Sequence, residues 1–405
     1  MLNTQHRPRL RSPVVPGFRF SGVRCGIKPD GRDLALIVSD APASAAGVFT
    51  RSTVVAAPVV FSRELIRSGH SRGVVVNSGN ANAATGARGE RDAEAMSRAA
   101  CRAIGAGDCE VLVASTGVIG ETLPMAKLRR GIRAGASALS ERGLRDAACA
   151  IMTTDTFPKI AAKRIRLGGR DVTVAGIAKG SGMIEPNLAT MLAFFVTDAA
   201  ASPAFLRGVL RRSAGATFNR VSVDGEMSTN DTLLLLANGA AGQPALRGIR
   251  SPGAGRFEAA VAEVATSLAR DLARDGEGAT KLVTVRVEGA RSVAEAERGA
   301  RRIANSLLVK TALFGGDPNW GRILQTLGAG RVSLHLDRAE VSLGGVVVFR
   351  RGSPAGPKAR RRAAAKHDAP EIEIRVKLGA GRAAARVWTC DLSYDYVRIN
   401  AEYTT

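Results

Sequence analysis

The chain has 405 residues, which is enough for one large or two ordinary domains with buried cores. Its 45% hydrophobic residues, 45 glycines and only 16 prolines exclude a disordered or fibrous protein. The formal net charge of +22 is the one extreme value, and it raises nucleic acid or an acidic membrane surface as a partner.

The N-terminus and the cysteines bear on the compartment. Residues 1–26 are basic but lack an apolar segment of signal-peptide length, and no later run approaches membrane-spanning length. The five cysteines are odd in number and form no CxxC pair, so neither a disulfide framework nor a zinc site is indicated. We therefore expect a cytoplasmic protein with no membrane partner.

The first 280 residues alternate between apolar runs and Ala-rich charged stretches. Runs rich in β-branched residues predict strands at residues 73–77, 110–115 and 171–177. Stretches with helical periodicity predict helices over residues 89–107 and 255–278. This alternation favours an α/β architecture.

A second pattern of the same kind begins near Lys281. A strand at 281–289, a helix over 292–315 and several later strands predict a further α/β layer system with a mixed sheet. Residues 350–370 combine Pro, Gly and a cluster of Arg and Lys, which predicts an exposed loop or short linker. We therefore expect two α/β domains of the α+β type, the second from about residue 281.

The stretch KGSGMIEPNLATMLAFF, from Lys179 to Phe195, sets hydroxyl and amide side chains among apolar residues without a His to activate a hydroxyl. The four histidines lie elsewhere, at His6, His70, His335 and His367. A Ser-His-Asp arrangement is therefore poorly supported. Read alone, KGSG is an ordinary glycine turn and Thr190 an ordinary strand residue.

The same stretch, extended to KGSGMIEPNLATMLAFFVTDA, closely resembles the glutamate N-acetyltransferase family, also called ornithine acetyltransferases, of arginine biosynthesis. The resemblance continues in the same order over essentially the whole chain. Further matching segments are DLALIVSDAPASAAGVFT (33–50), VVNSGNANAATG (75–86), STGVIGETLP (115–124), TTDTFPK (153–159), VDGEMSTNDT (223–232), DGEGATKL (275–282), FGGDPNWGRI (314–323) and INAEYTT (399–405). The basic segment 350–368 departs from the milder loop expected in relatives, and no role is assigned to it.

The resemblance implies a self-cleaving protein with an N-terminal-nucleophile fold of the ornithine acetyltransferase type. The precursor is expected to cut itself between Ala189 and Thr190. The first product, residues 1–189, would be an α chain that carries the oxyanion hole. The second, residues 190–405, would be a β chain that begins with the nucleophile. The family forms a heterotetramer of two α and two β chains, and the same assembly is expected here.

Self-cleavage would also supply the missing base. A free α-amine has an ordinary pKa of about 7.7 to 8.0, so it can accept the proton of the hydroxyl on the same residue. Thr190 would then be nucleophile and base together, and no His is required.

The resemblance implies that Thr190 takes the acetyl group of N2-acetylornithine, releases ornithine and passes the acetyl group to glutamate. Thr116, through its hydroxyl, and Gly117, through its backbone N–H, are the implied oxyanion hole. No metal or other cofactor is expected. Some members also accept acetyl-CoA as a co-substrate and others only recycle acetyl groups, and no motif decides between them. The implied substrate-binding residues are Thr153, Lys179, Thr190, Glu277, Asn400 and Thr405.

Two alternatives belong to other functional classes. An N-terminal-nucleophile aminopeptidase or amidohydrolase uses similar self-cleavage, but with a Ser nucleophile, whereas this chain has Thr190 and the STGVIG segment. A basic nucleic-acid-binding protein would cluster Lys and Arg on one face, often with aromatic residues. Here Arg is spread over many predicted helices and aromatic residues are 4% of the chain, so we expect no nucleic-acid partner.

Structural roles are favoured for six polar residues in the segments VVNSGNANAATG (75–86) and VDGEMSTNDT (223–232). Their side chains can fix loops through hydrogen bonds to the backbone. The six residues are Asn77, Asn80 and Asn82 in segment 75–86 and Asp224, Asn230 and Asp231 in segment 223–232.

Overall fold

The computed structural model describes residues 12–107, 110–185 and 191–402. The first eight strands form one sheet. The strands are β1 (Phe18–Val23), β2 (Leu34–Phe49), β3 (His70–Asn80), β4 (Val111–Val118), β5 (Lys159–Leu167), β6 (Arg170–Lys179), β7 (Leu192–Thr197) and β8 (Thr232–Ala237). Their spatial order is β4-β3-β2-β8-β7-β6-β5, and β1 pairs with β2.

The first sheet is mixed. Strand β3 pairs in parallel with β4, and β7 pairs in parallel with β8, while the other neighbours are antiparallel. Strands β6 to β8 consist almost wholly of buried residues because helices cover both faces of the sheet at their position.

Six helices accompany this sheet. The helices are α1 (Ala57–Leu65), α2 (Gly86–Ile104), α3 (Met125–Ser137), α4 (Leu144–Ala150), α5 (Pro203–Ala216) and α6 (Ala254–Arg274). One hydrophobic core contains residues of the central strands and of α5 and α6. A second contains residues of the opposite face of the sheet and of α4, and a third contains residues of strands β2, β3 and β4 and of helices α2 and α3.

The remaining strands form a six-stranded sheet. The strands are β9 (Leu282–Ala290), β10 (Glu340–Leu343), β11 (Val346–Arg350), β12 (Ser353–Pro354), β13 (Glu371–Lys377) and β14 (Ala383–Cys390). Their spatial order is β12-β11-β10-β13-β9-β14, and only the β13–β9 pair is parallel. The helices of this region are α7 (Val293–Ala304), α8 (Leu307–Phe314), α9 (Trp320–Ala329), α10 (Pro357–Ala364) and α11 (Tyr394–Glu402).

Strand β13 alternates buried and exposed residues, so the second sheet has one buried face, covered mainly by α7 and α9. Helix α6 contacts β5 and β6 of the first sheet and β9 and β14 of the second. It therefore joins the two sheets. No helix in the described part of the chain is both long and apolar enough to cross a membrane.

The predicted α/β architecture with mixed sheets is confirmed, as are the strands at 73–77, 110–115 and 171–177, which lie in β3, β4 and β6. Two local predictions were wrong. The single helix over 292–315 is two helices, because Ser306 caps α8 by accepting a hydrogen bond from the Val309 N–H. The loop predicted at 350–370 contains β12 and α10, which begins at Pro357 and buries Ala363.

Candidate active site

A cavity of about 230 Å³ opens where β4 and β6 of the first sheet end and where α11 approaches them. Six of the residues predicted for the site line it: Thr116, Gly117, Thr153, Lys179, Glu277 and Asn400. These residues come from five separate segments of the chain, so the fold brings them together.

Thr116 and Gly117 lie near the end of β4. A side chain at position 117 would place its Cβ 2.3 Å from the carbonyl carbon of Gly79, and the residue has φ of +134°. Only glycine fits there without strain. Asn230 fixes the same strand end, since its Nδ2 donates to the carbonyl oxygens of Ser115 (2.9 Å) and Ala81 (2.6 Å).

Lys179, the last residue of β6, is 6% exposed. Its Nζ donates to the hydroxyl oxygens of Thr116 at 3.2 Å and Thr153 at 2.9 Å. An ammonium group is only a donor, so each hydroxyl accepts from Lys179 and keeps its own proton for another acceptor. Burial lowers the pKa of Lys179, and the negative charge of Asp155 opposes that shift.

Glu277 follows α6 and is 9% exposed. Its Oε2 accepts a hydrogen bond of 2.8 Å from the side-chain amide of Asn400 on α11. A Cβ at Gly182 would lie 2.4 Å from the same oxygen, so the carboxylate packs directly against a backbone without a side chain. The cavity thus has a buried cation from Lys179 and a carboxylate from Glu277.

The predicted cleavage site lies outside the described residues, since Ala189 and Thr190 fall between Glu185 and Met191, and so does Thr405 at the C-terminus. On the N-terminal side of the gap, Asp224 accepts hydrogen bonds from the N–H groups of Met183 (2.5 Å) and Ile184 (2.8 Å). Met183 has φ of +55°, an uncommon value for a residue with a side chain.

On the C-terminal side of the gap, the N–H of Met191 donates to Oδ1 of Asp231 at 2.9 Å. Asp231 is 3% exposed, and its Oδ2 has no hydrogen-bond partner among the described residues. Burial raises the pKa of Asp231 well above its usual value. Asp224 and Asp231 therefore fix the backbone on the two sides of the gap, as the structural role favoured for them requires.

Sequence analysis did not predict a cluster of buried charged residues next to the cavity. Asp155, Lys159 and Asp275 form a buried ionic cluster, with Lys159 Nζ 2.7 Å from Asp155 Oδ1 and 2.5 Å from Asp275 Oδ2. Asp155 and Lys159 both lie in the TTDTFPK segment, four residues apart. That spacing was the only available signal, since Asp275 is distant in sequence.

A larger open cavity of about 570 Å³ lies along α7 and contains Arg298, Arg301 and Arg302. None of the predicted site residues lines it. Within the described ranges, no group of His, Cys, Asp and Glu side chains has an arrangement that could hold a metal ion. The smaller cavity is therefore the candidate active site.

Comparison with known proteins identifies the family of the chain. The model of the ArgJ family matches residues 19–405. The arginine biosynthesis bifunctional protein ArgJ of Geobacter sulfurreducens is 52% identical over 392 residues, which cover 96% of this chain and 100% of that protein.

Two solved structures are also similar. The crystal structure of ArgJ from Bacillus halodurans is 40% identical, with a TM-score of 0.50, and the match covers 53% of this chain and 100% of that one. Ornithine acetyltransferase from Mycobacterium tuberculosis, solved in complex with ornithine, is 40% identical, with a TM-score of 0.40 and coverage of 44% of this chain and 97% of that one. The family match and the near-complete relative together show that the chain belongs to the ArgJ family and is an enzyme of arginine biosynthesis.

Proposed function

We propose that the protein transfers the acetyl group of N2-acetylornithine to glutamate through an acetyl ester of Thr190. Membership of the ArgJ family supports this activity. The observation that carries the proposal is the position of Lys179, which holds the hydroxyls of Thr116 and Thr153 in a cavity closed on another side by Glu277.

The first step is self-cleavage. The Thr190 hydroxyl attacks the Ala189 carbonyl carbon, the Ala189–Thr190 amide bond breaks, and the resulting ester is opened by water to leave a carboxylate on Ala189 and a free amine on Thr190. The Bacillus halodurans chain is matched over its full length and covers 53% of this chain, which is also the share that residues 190–405 make up.

In the transfer, the Thr190 amine accepts the hydroxyl proton while the oxygen attacks the acetyl carbonyl carbon of N2-acetylornithine. The carbon–nitrogen bond breaks, the proton passes to the departing amine, and ornithine leaves. The amine of glutamate then attacks the acetyl ester, loses a proton to the Thr190 oxygen and leaves as N-acetylglutamate. This is a ping-pong transfer.

Each attack creates an oxyanion, and the end of β4 offers two donors for it. The Thr116 hydroxyl has its oxygen occupied by the Lys179 ammonium, so its proton is available to the oxyanion. The N–H of Gly117 is the second donor. Because Lys179 also contacts Thr153, these side chains form one hydrogen-bonded group.

The other proposed roles concern the substrate ends. Lys179 is suited to a carboxylate and Glu277 to an ammonium group. Asn400 orients the Glu277 carboxylate through its 2.8 Å hydrogen bond. Thr405 belongs to the same proposed set, as does Thr153.

The proposal extends to the assembly and its setting. We infer a heterotetramer of two α and two β chains, a cytoplasmic location, and a reaction that needs no cofactor and no nucleic-acid partner. Acetyl-CoA is proposed as a second acetyl donor. Enzyme given glutamate and acetyl-CoA without N2-acetylornithine will then make N-acetylglutamate, and absence of that product will restrict the enzyme to acetyl recycling.

The decisive experiment is denaturing intact-mass analysis of the purified protein before and after brief exposure to N2-acetylornithine. We expect two pieces that meet at Ala189 and Thr190, with one acetyl group added to the second. Thr190→Ala should stay whole and take up no acetyl group, while Thr266→Ala on α6 should behave like the wild type. An uncut wild-type chain without acetyl uptake would contradict the proposal.

Adding glutamate to the acetylated enzyme separates transfer from hydrolysis. Transfer predicts loss of the acetyl group with an equal amount of N-acetylglutamate. Loss of the acetyl group as free acetate at the same rate with and without glutamate would indicate an amidohydrolase instead.

A further inference from the structure

The ionic cluster of Asp155, Lys159 and Asp275 is more deeply buried than the other ion pairs in the described ranges. Lys159 and Asp155 have side chains that are 0% exposed, and that of Asp275 is 2% exposed. Every other described ion pair has at least one side chain that is a fifth or more exposed.

The cluster connects three segments of the chain. Oδ1 of Asp155 accepts from the N–H of Gly180 at 2.7 Å, and its Oδ2 accepts from the N–H of Thr153 at 3.0 Å. Asp275 accepts from the N–H of Thr156 at 3.1 Å. Lys159 donates to both carboxylates, so one ammonium group holds the three segments together.

Each connected segment carries a residue of the candidate active site within two positions of its contact with the cluster. Thr153 itself donates to Asp155, Lys179 precedes Gly180, and Glu277 follows Asp275 by two residues. A backbone hydrogen bond of 2.8 Å from Glu277 N–H to the Ser181 carbonyl joins two of these segments again. The cluster therefore lies directly behind three sides of the cavity.

A contribution to the stability of the fold does not by itself explain why these charges are buried. Taking charges out of water costs several kcal/mol for each ion, and apolar residues of similar volume are often neutral or stabilising in place of a buried ion pair. A buried ionic group favours the arrangement of segments that keeps its partners in contact, because separating them would leave buried charges without compensation.

Asp155 also acts on the charge of Lys179. Burial lowers the pKa of Lys179, and Asp155 is the strongest influence that raises it. The charged groups that face Lys179 lie on several elements: Lys28 after β1, Asp155, Lys159 at the start of β5, Asp231 before β8 and Glu277 after α6.

We propose that Asp155, Lys159 and Asp275 are positioning residues for the acetyl transfer: they hold Thr153, Lys179 and Glu277 in place, so that the Thr116 hydroxyl donates to the oxyanion. This inference rests on the proposed function. It assigns no contact with the substrate to the cluster itself.

The first test is Asp155→Asn, which keeps the shape of the side chain and removes its charge. We expect kcat per cut molecule to fall by about tenfold to a hundredfold, because the effect falls on the oxyanion donors. Loss of a negative charge beside Lys179 lowers its pKa further. The alkaline limb of the kcat profile should therefore move to lower pH.

A merely structural role would not move that limb. It would lower the amount of folded or cut protein and leave the pH profile of the remaining active enzyme unchanged. Intact mass gives the cut fraction, so kcat can be expressed for cut molecules only. A wild-type kcat or an unmoved alkaline limb in Asp155→Asn overturns the proposal.

The second test removes all three charges together as Asp155→Asn, Lys159→Met and Asp275→Asn in one chain. No charge is left within the cluster itself, so we expect a melting temperature close to wild type but a kcat as low as in the single variant. If this triple variant does not fold, the pH profile of kcat in Asp155→Asn remains the test of the proposal. A folded triple variant with wild-type kcat overturns the proposal.

The matched control is Lys310→Met. Lys310 is also buried, at 2% exposed, but it donates to Thr389 and to the Cys390 carbonyl, which do not line the cavity. We expect lower stability with unchanged kcat. Acetyl uptake by wild-type enzyme separates the two proposals: without uptake both fall, whereas uptake with unchanged kcat in the cluster variants overturns only this one.

Discussion

Several charged residues near the candidate site of the first sheet are buried, whereas those on the strands of the second sheet are exposed or partly exposed. Around the open end of the first sheet, Lys159, Lys179, Asp155 and Asp231 are all buried and face one small region. On the second sheet, charges lie at the surface in pairs such as Arg375 with Glu288, whose side chains are 41% and 18% exposed. The chain carries 58 Lys and Arg residues, and Lys159 and Lys179 mark the site because they are buried together with carboxylates at one end of the first sheet. The number of charges is thus a weaker guide to function than their burial.

The largest effect should come from the buried charge nearest the oxyanion donors. In Lys179→Met, the Thr116 hydroxyl loses the donor that orients it, and we expect kcat to fall by about a hundredfold to a thousandfold. Lys163→Met on β5, an exposed lysine paired with Glu263, should leave kcat unchanged. Steady-state kinetics with both substrates measures this. A rise in KM with unchanged kcat would instead assign Lys179 to the substrate carboxylate alone.

A smaller effect is expected where a buried carboxylate meets the substrate rather than the reacting atoms. Glu277→Gln should raise KM for an amine-bearing substrate by about tenfold to a hundredfold, since a hydrogen bond to a charged group is lost. Glu226→Gln at the exposed rim of the same cavity is the matched control and should change KM little. Equal effects of the two changes would show that burial does not distinguish these carboxylates.

The smallest effect on kcat is expected at α7, which packs on the second sheet. Hydrogen bonds from Arg291 and Ser333 lower the pKa of Glu295 on α7 to about 2. A folded-state pKa below the unfolded value stabilises the protein above the unfolded pKa, and that contribution is lost as pH falls toward 2. Because Glu295 is 3% exposed but its partner Arg291 is 64% exposed, we expect Glu295→Gln to cost about 1 to 3 kcal/mol at neutral pH.

Urea unfolding of wild type and Glu295→Gln should be measured at several pH values. The free energy of unfolding should be higher for wild type at pH 7, and this difference should disappear below the folded-state pKa of Glu295. The kcat at pH 7 should not change. A loss of kcat in this variant would break the contrast between the two regions, because it would couple an ion pair that does not line the cavity to the reaction.

Strands and long helices could be predicted from sequence because their signals are local. The run at 73–77 lies in β3, and the periodic stretch at 255–278 corresponds to α6, which ends earlier, at Arg274. The failure at 292–315 has a local cause, since Ser306 caps a new helix within a stretch that keeps helical composition. At 350–370, Pro and Gly suggested a loop, but Pro357 stands at the first turn of α10, where proline is tolerated.

The candidate site was predictable only where a resemblance supplied the residues. Thr116, Lys179 and Glu277 lie far apart in sequence, and their convergence depends on the pairing of β3 with β4 and on the approach of α6 to β6. Lys159 was missed for a physical reason. Its importance comes from complete burial between two carboxylates, one of them 116 residues away, and no local pattern reports that.

The placement of β7 has a practical consequence for preparing the enzyme. This strand begins two residues after Thr190 and lies between β6 and β8, with residues 192–197 paired to both neighbours. If the chain is cut before Thr190, the two pieces remain bound through the middle of one sheet. An affinity tag on either terminus should then retain both pieces on a column in native buffer, and only its own piece in denaturant. Separately produced pieces would have to fold together.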